Sequence, residues 1–401
     1  MKFPASLTPA LLPALLLALG TSVQAQSLTY LGQQVLPSSE TYKGTPVGGL
    51  SSLDYDVAHG RYLAISDDRS ELAPARFYEF TLDLSKFNRN RQPGRAGVQF
   101  TGVTTLLNPQ GQPFGPRQLD PEGLRLDARR GLIYWSNEGQ RRAGDMQSPT
   151  IRRMKPDGQP AGEFPVPPYY FPSGSAAGRS AGDLGVYDNL GFESIAITPD
   201  GRTLWTMVEN ALAQDDAPAA LDHGSRARML SFDLDSGRAG AEYIYEVGPV
   251  PVTPAKPGAF SVNGVADMLA LSDHEFIAIE RGFAVGAPTP GASPVNGKPT
   301  GNSIQLVLID TQGATDVAGW ASIQGRALTP VKRRLLLDLS TLKNDDGSPL
   351  ALDNVEGLVL GPQFNGKPTL VLVSDNNFSA EQFTQFLLLS IDGPLTGGAR
   401  P

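Results

Sequence analysis

GFESIAITPDGRTLWTMVEN (residues 191–210) decides the fold. An apolar stretch, FESIAI, runs into Pro199-Asp200-Gly201, and a second, TLWTMV, leads to Glu209. Both stretches are short and rich in β-branched and aromatic residues, and the residues between them favour a tight turn. The unit therefore reads as strand, turn, strand, carboxylate. The same pattern recurs in GGLSSLDYDVAHGRYLAISDDR (48–69), PEGLRLDARRGLIYWSNEG (121–139), GVADMLALSDHEFIAIERG (264–282) and NVEGLVLGPQFNGKPTLVLVSDNN (354–377). Recurrence of one unit fixes an architecture before any single residue does.

Each copy extends to four strands, here named a to d, except that the fifth lacks its outer one. The segment LTYLGQQVL (28–36) is then a strand without a place. Pairing it with the last unit closes a ring and removes an open sheet edge. The expectation is an all-β chain: a single β-propeller of five four-stranded blades, closed by the N-terminal strand, with six blades as the alternative count. The 44 glycines and 34 prolines suit so many turns.

Bulk composition narrows the chemistry. The absence of cysteine removes disulfides, thiolate metal sites and cysteine nucleophiles. With 33 basic against 41 acidic residues, nucleic acid is not an expected partner. Residues 1–25 read as a secretory signal peptide: Lys2, an apolar run over 11–19, and small residues up to Ala25. That run is too short to span a bilayer, and no later one is long enough. A domain over 26–401 is expected in the periplasm or secreted, monomeric, with no integral membrane segment after cleavage.

Loop lengths give the ring a polarity. The a–b turns are short, whereas the b–c and d–a connections are long and leave on the same face, where function is expected. Acids fall on that face. Glu122, Glu193 and Glu356 precede strand a, with Asp267 offset by one place; Glu138, Glu209, Glu280, Asp375 and the Asp67-Asp68 pair end strand b. In the first repeat Gly48 stands where others have Glu122 or Glu193, which makes Asp67 and Asp68 the substitutes.

Converging anions repel one another unless cations join them. Hard oxygen ligands suit calcium, and the lack of a histidine cluster disfavours zinc. These ten acids are the metal-ligand candidates, Asn137, Asn210, Asn376 and Asn377 add neutral oxygens, and calcium is the expected cofactor. Cross-linking blades through backbone N–H groups is the other role open to each acid. Glu209, Glu193 and Glu138 are the catalytic candidates, one of them as general base.

Arg69 and Arg281 each follow an acid at what reads as an equivalent position, and a guanidinium fork matches a phosphate. Arg76, Arg117, Arg141, Arg142 and Arg179 lie in or beside loops of the same face; for all seven, pairing with nearby carboxylates is the alternative. Tyr170, in the cluster Tyr169-Tyr170-Phe171, either walls a substrate pocket or packs its loop on the rim. Gly178-Arg179-Ser180-Ala181-Gly182 matches G-x-S-x-G but lacks the strand before and helix after that a nucleophile elbow needs. Of the histidines, His59 and His274 fall in a–b turns and only His223 in a long loop.

The blocks at 191–210, 264–283 and 353–378 resemble the "esterase-like activity of phytase" family of exported bacterial proteins, and the likeness runs over about residues 45–392. The resemblance implies hydrolysis of phosphoesters or carboxyl esters of a small-molecule substrate. Joined to the acid ring, it leads to calcium-dependent phosphoester hydrolysis by water, with Arg69 and Arg281 holding the phosphate. A calcium-dependent carboxylester or lactone hydrolase and a non-catalytic binding propeller are the alternatives.

Overall fold

The computed structural model describes residues 27–393; the signal peptide expected over 1–25 lies outside them. Five antiparallel four-stranded sheets follow one another along the chain. Blade 1 comprises Leu50–Asp56, Arg61–Ser66, Arg76–Leu82 and Val98–Thr105. Blade 2 comprises Pro121–Asp127, Leu132–Asn137, Thr150–Met154 and Pro160–Glu163. Blade 3 comprises Phe192–Ile197, Thr203–Ala211, Ser225–Asp233 and Ala239–Val247. Blade 4 comprises Ser261–Ala270, Glu275–Ala284, Asn302–Asp310 and Lys332–Asp338. Blade 5 comprises Asn354–Phe364, Lys367–Asp375 and Phe383–Asp392, and Ser27–Pro37 supplies its fourth strand, paired from Ser27 with Asp392 to Pro37 with Phe383.

Each innermost strand touches the innermost strands of both neighbouring blades, so the five-bladed ring is closed. Aromatic side chains fill the seams. Phe80 meets Phe386 between blades 1 and 5, Phe164 meets Phe232 between blades 2 and 3, and Trp205 meets Phe276 between blades 3 and 4. Full burial of such side chains contributes about 1.5–3 kcal/mol each, which matters in a chain without cross-links. Among the described residues no helix is long and apolar enough to cross a membrane.

The strands nearest the long loops run further than the sequence suggests. In blade 4, strand b continues past Glu280 to Ala284. The innermost strands also share a device that hydrophobic patterning does not reveal: a β-bulge at the same place in every blade. The register slips between Leu50 and Ser52, Pro121 and Leu124, Phe192 and Ser194, Val265 and Asp267, and Val355 and Gly357. A bulge adds an unpaired residue and re-aims its side chain. The bulged position holds Ser51, Glu122, Glu193, Ala266 and Glu356. Ser51, not Gly48, is therefore the first-blade counterpart of the glutamates.

Asp267 stands one place past the bulge and enters the core. Both its oxygens accept from Arg125 at 3.0 Å, and it also takes the Leu358 N–H at 3.1 Å. Arg125 itself donates to Ser52 Oγ and the Leu53 carbonyl of blade 1, and to the Met268 carbonyl of blade 4. One ion pair thus ties together the inner strands of four blades.

Candidate functional site

The long loops and strand ends of the elaborated face enclose a pocket of about 990 Å³. Strand register orders its floor. One residue past the partner of the pre-bulge position, the five blades carry Asp67, Glu138, Glu209, Arg281 and Asp375. The matching positions on the innermost strands are Gly49, Asp120, Gly191, Gly264 and Asn354: Asp67, Glu138 and Glu209 donate backbone N–H bonds to the first three carbonyls, and Arg281 and Asp375 pair with the last two. The ring is four acids and one arginine, with Glu122, Glu193 and Glu356 from the bulges beside it.

Small residues let the acids lie this close. A Cβ at Gly264 would collide with the Glu209 side chain, and one at Gly191 with the Glu138 backbone. The Gly191 N–H instead donates to Glu138 Oε1 at 3.0 Å.

The arrangement concentrates negative charge. Asp67, Asp120, Glu122, Glu138, Glu193, Glu209, Glu356 and Asp375 converge on a floor where Arg69 and Arg281 are the cations that reach them. Arg69 is ion-paired to Asp120 and lies 3.8 Å from Glu138; Arg281 is 3.3 Å from both Glu209 and Glu356. Burial, and then repulsion from neighbouring acids, lifts Glu122, Glu193 and Asp375 well above the carboxylate range. The same causes push Asp67 up to about 7. Burial also raises Glu138 and Glu356, and brings Glu209 to about 8 despite Arg281 beside it.

Two triads stand out. One oxygen from each of Asp120, Glu122 and Glu138 lies within 4.8 Å of the others, and the same holds for Glu138, Glu193 and Glu209. Glu138 belongs to both. It is 1% exposed, and its Oε2 has no hydrogen-bond partner, like Asp67 Oδ1.

The other candidates lie elsewhere. Asp68 points away from its neighbour Asp67, accepts the N–H groups of Glu71, Leu72 and Ala73, and pairs with Arg76 at 2.7 Å; it staples its own loop. Asp267 is committed to Arg125 below the pocket. Glu280 precedes the ring position and is bound to Tyr245 and, at 2.5 Å, to Arg333, so it is not equivalent to Glu209. Arg281 is the residue that is equivalent, and Arg69 stands two places beyond its blade's ring residue. Tyr170 is fully buried with its hydroxyl on Glu242 at 2.6 Å, so the aromatic cluster packs its loop rather than walling the pocket. Asn137, Asn210 and Asn376 accept backbone N–H groups, whereas Asn377 lines the pocket.

Of the remaining arginines, Arg76, Arg117, Arg141 and Arg142 are engaged with loop acids or carbonyls, and Arg179 lines the pocket. His223 lines it too, while His59 and His274 pair with acids in the short turns. Ser180 is exposed and its N–H donates to Asp183 within a loop, with no strand before it and no helix after it. Sequence reading missed Asp120, Asp188 and Asp353 as wall residues. Asp120 carried one usable signal, its position two residues before the repeat glutamate Glu122.

Among solved structures, one described as the Dos1 propeller shares 7% identity and a TM-score of 0.34, over 86% of this chain and 68% of that one. Kuenenia stuttgartiensis hydrazine synthase shares 11% identity and a TM-score of 0.35, over 88% of this chain and 99% of that one. Likeness at this level bears on neither mechanism nor substrate. No curated protein matches the sequence. A family is nonetheless defined: the phytase-like family described as "esterase-like activity of phytase" matches residues 45–378, and this chain belongs to it.

Proposed function

We propose that this chain is an exported, calcium-dependent hydrolase of small phosphoesters, acting by direct attack of water. Membership of the phytase-like family supports a hydrolase, and the leader-like residues 1–25 support export. The observation that carries the rest is the excess of acids in the ring over Arg69 and Arg281, with Glu138 Oε2 and Asp67 Oδ1 buried and without a hydrogen-bond partner. An all-oxygen donor set with orphaned buried oxygens fits a hard divalent cation. Glu138 with Glu193 and Glu209, and with Asp120 and Glu122, are the residues that would hold it. Calcium bound there would neutralise the ring, draw in a phosphate and acidify water.

The chain's own groups then have distinct tasks. Arg281, held between Glu209 and Glu356, presents its guanidinium to the substrate anion from the floor, and Arg69 does so from blade 1. Water attacks phosphorus, a carboxylate oxygen of Glu209 accepts the water's proton, and the ester P–O bond breaks with its electron pair on the leaving oxygen, which takes that proton and departs as the alcohol. No covalent intermediate is needed, consistent with a Ser180 that lies in a loop outside the residues lining the pocket.

The test uses purified protein on aryl phosphate, phytate and aryl acetate, each with calcium or chelator. Phosphate release lost in chelator and in Glu209→Ala supports the proposal. Acetate hydrolysis that survives chelator and is lost in Ser180→Ala overturns it. Silence on every substrate, with calcium raising only the melting temperature, makes the protein a binding propeller.

A further inference from the structure

The pocket wall is chemically lopsided, and its lopsidedness starts at the ring. Two places beyond the ring residue, the five blades carry Arg69, Gln140, Ala211, Phe283 and Asn377. Only blade 4 has an aromatic side chain there. Arg281 and Phe283 are alternate residues of one strand, so they lie on the same face, roughly 7 Å apart along the chain. Their partners on the innermost strand are Gly264 and Val262.

Phe260 leans on Phe283 with ring centroids 6.2 Å apart, and yet it is 63% exposed. Val262 and Pro218 line the same pocket, from blades 4 and 3. An apolar shelf therefore climbs from the ring arginine to the mouth, although His223, Ser261, Asn296 and Lys298 of blades 3 and 4 line the pocket as well. The blade 1 and 2 side presents Arg69, Arg179, Asp188 and Asn189. An exposed phenylalanine stacked on another, inside a pocket and continuous with an anion-holding arginine, has the form of a subsite.

We propose that this shelf binds an apolar, planar leaving group, so that the preferred substrates are aryl-type esters rather than compact polyanions. This rests on the hydrolase reading above. An anion held at Arg281 places its substituent along Phe283 and Phe260, and the substituent is what distinguishes one ester from another.

Calorimetry on the calcium-loaded protein separates this proposal from the reading beneath it. Phenylphosphonate and methylphosphonate are compared, in parallel with phenylacetate and acetate. Burial of a phenyl group on the shelf is expected to favour the aryl member of a pair by about tenfold or more. Phe260→Ser, at an exposed position that does not endanger folding, should bring that preference to within about threefold and leave methylphosphonate affinity unchanged. In turnover, the same variant raises KM for aryl esters with little effect on kcat. Equal binding of aryl and methyl probes by the unaltered protein overturns the shelf while leaving the hydrolase standing. A Phe260→Ser preference equal to the original also overturns it. Failure of every anion to bind, with no ester turned over, brings down both.

Discussion

Asp267 and Glu138 are both buried acids near the propeller axis, and their surroundings are opposite. Asp267 is held by Arg125 through two hydrogen bonds and by backbone N–H groups, and burial leaves its carboxyl only moderately raised, at about 6. Glu138 accepts one backbone N–H, has an oxygen with no hydrogen-bond partner and stands among other acids, with Arg69 3.8 Å away and already paired to Asp120. One is a finished structural joint. The other is half of an interaction. In a repeat rich in acids, charge balance rather than position separates the residues that build the fold from those proposed to hold a cation.

The largest expected effect breaks the finished joint. Asp267→Asn removes the countercharge of Arg125, which is 4% exposed and spans four blades. Removing one member of a buried pair typically costs about 3–5 kcal/mol. Chemical denaturation should show a loss of that order, with or without calcium. A loss within error would mean that Arg125 is neutralised in another way and that the contrast with Glu138 is overstated.

Glu138→Gln should do the reverse. The amide keeps the shape and the acceptor for Gly191, and it removes one charge from an overcharged ring. Stability in chelator is expected to rise. Calcium affinity and turnover should fall by at least about a hundredfold, the upper range for groups one shell further from a metal. Calcium titration by calorimetry and phosphate release give the two readouts. Full activity in this variant would remove Glu138 from the site.

Much of this was legible in the hairpin at 191–210 and its four relatives. Blade count, ring closure by the chain start and the face that carries the long loops all follow from strand periodicity and loop lengths. The candidate site was legible only to within one residue. A bulge inserts one residue into each innermost strand without changing its apolar character, which hides Ser51 behind Gly48. Glu280 and Arg281 exchange apparent roles for a different reason: the ring residue stands six places after the start of strand b in blades 1 to 4, and an acid one place too early masks that spacing. Adjacent acids met the same limit: Asp67 and Asp68 point to opposite sides, and only the loop that folds onto Asp68 shows which of them is consumed. Asp188 and Asp353 belong to long connections with no repeat to align them.

The smallest effect is the most general, because it asks whether the ring is charged in use. Without calcium, burial and mutual repulsion bring Asp67 to about 7 and Glu209 to about 8, whereas unfolded carboxylates titrate near about 4. Between those values the folded chain binds more protons than the unfolded one. The ring's contribution to stability is therefore greatest below the unfolded pKa and is lost as pH rises through about 7 to 8. In chelator the melting temperature should fall by a few degrees between pH 5 and 8.5, and less so in Glu138→Gln. Calcium should flatten the slope at the alkaline end. At a hundredfold excess over Kd each bound ion adds about 2.7 kcal/mol, or about 3–4 °C for a chain of this size. A profile that is flat in chelator and indifferent to calcium would place the ring on the same footing as the Arg125–Asp267 joint. The acids would then be structural, and the contrast between the two regions would disappear.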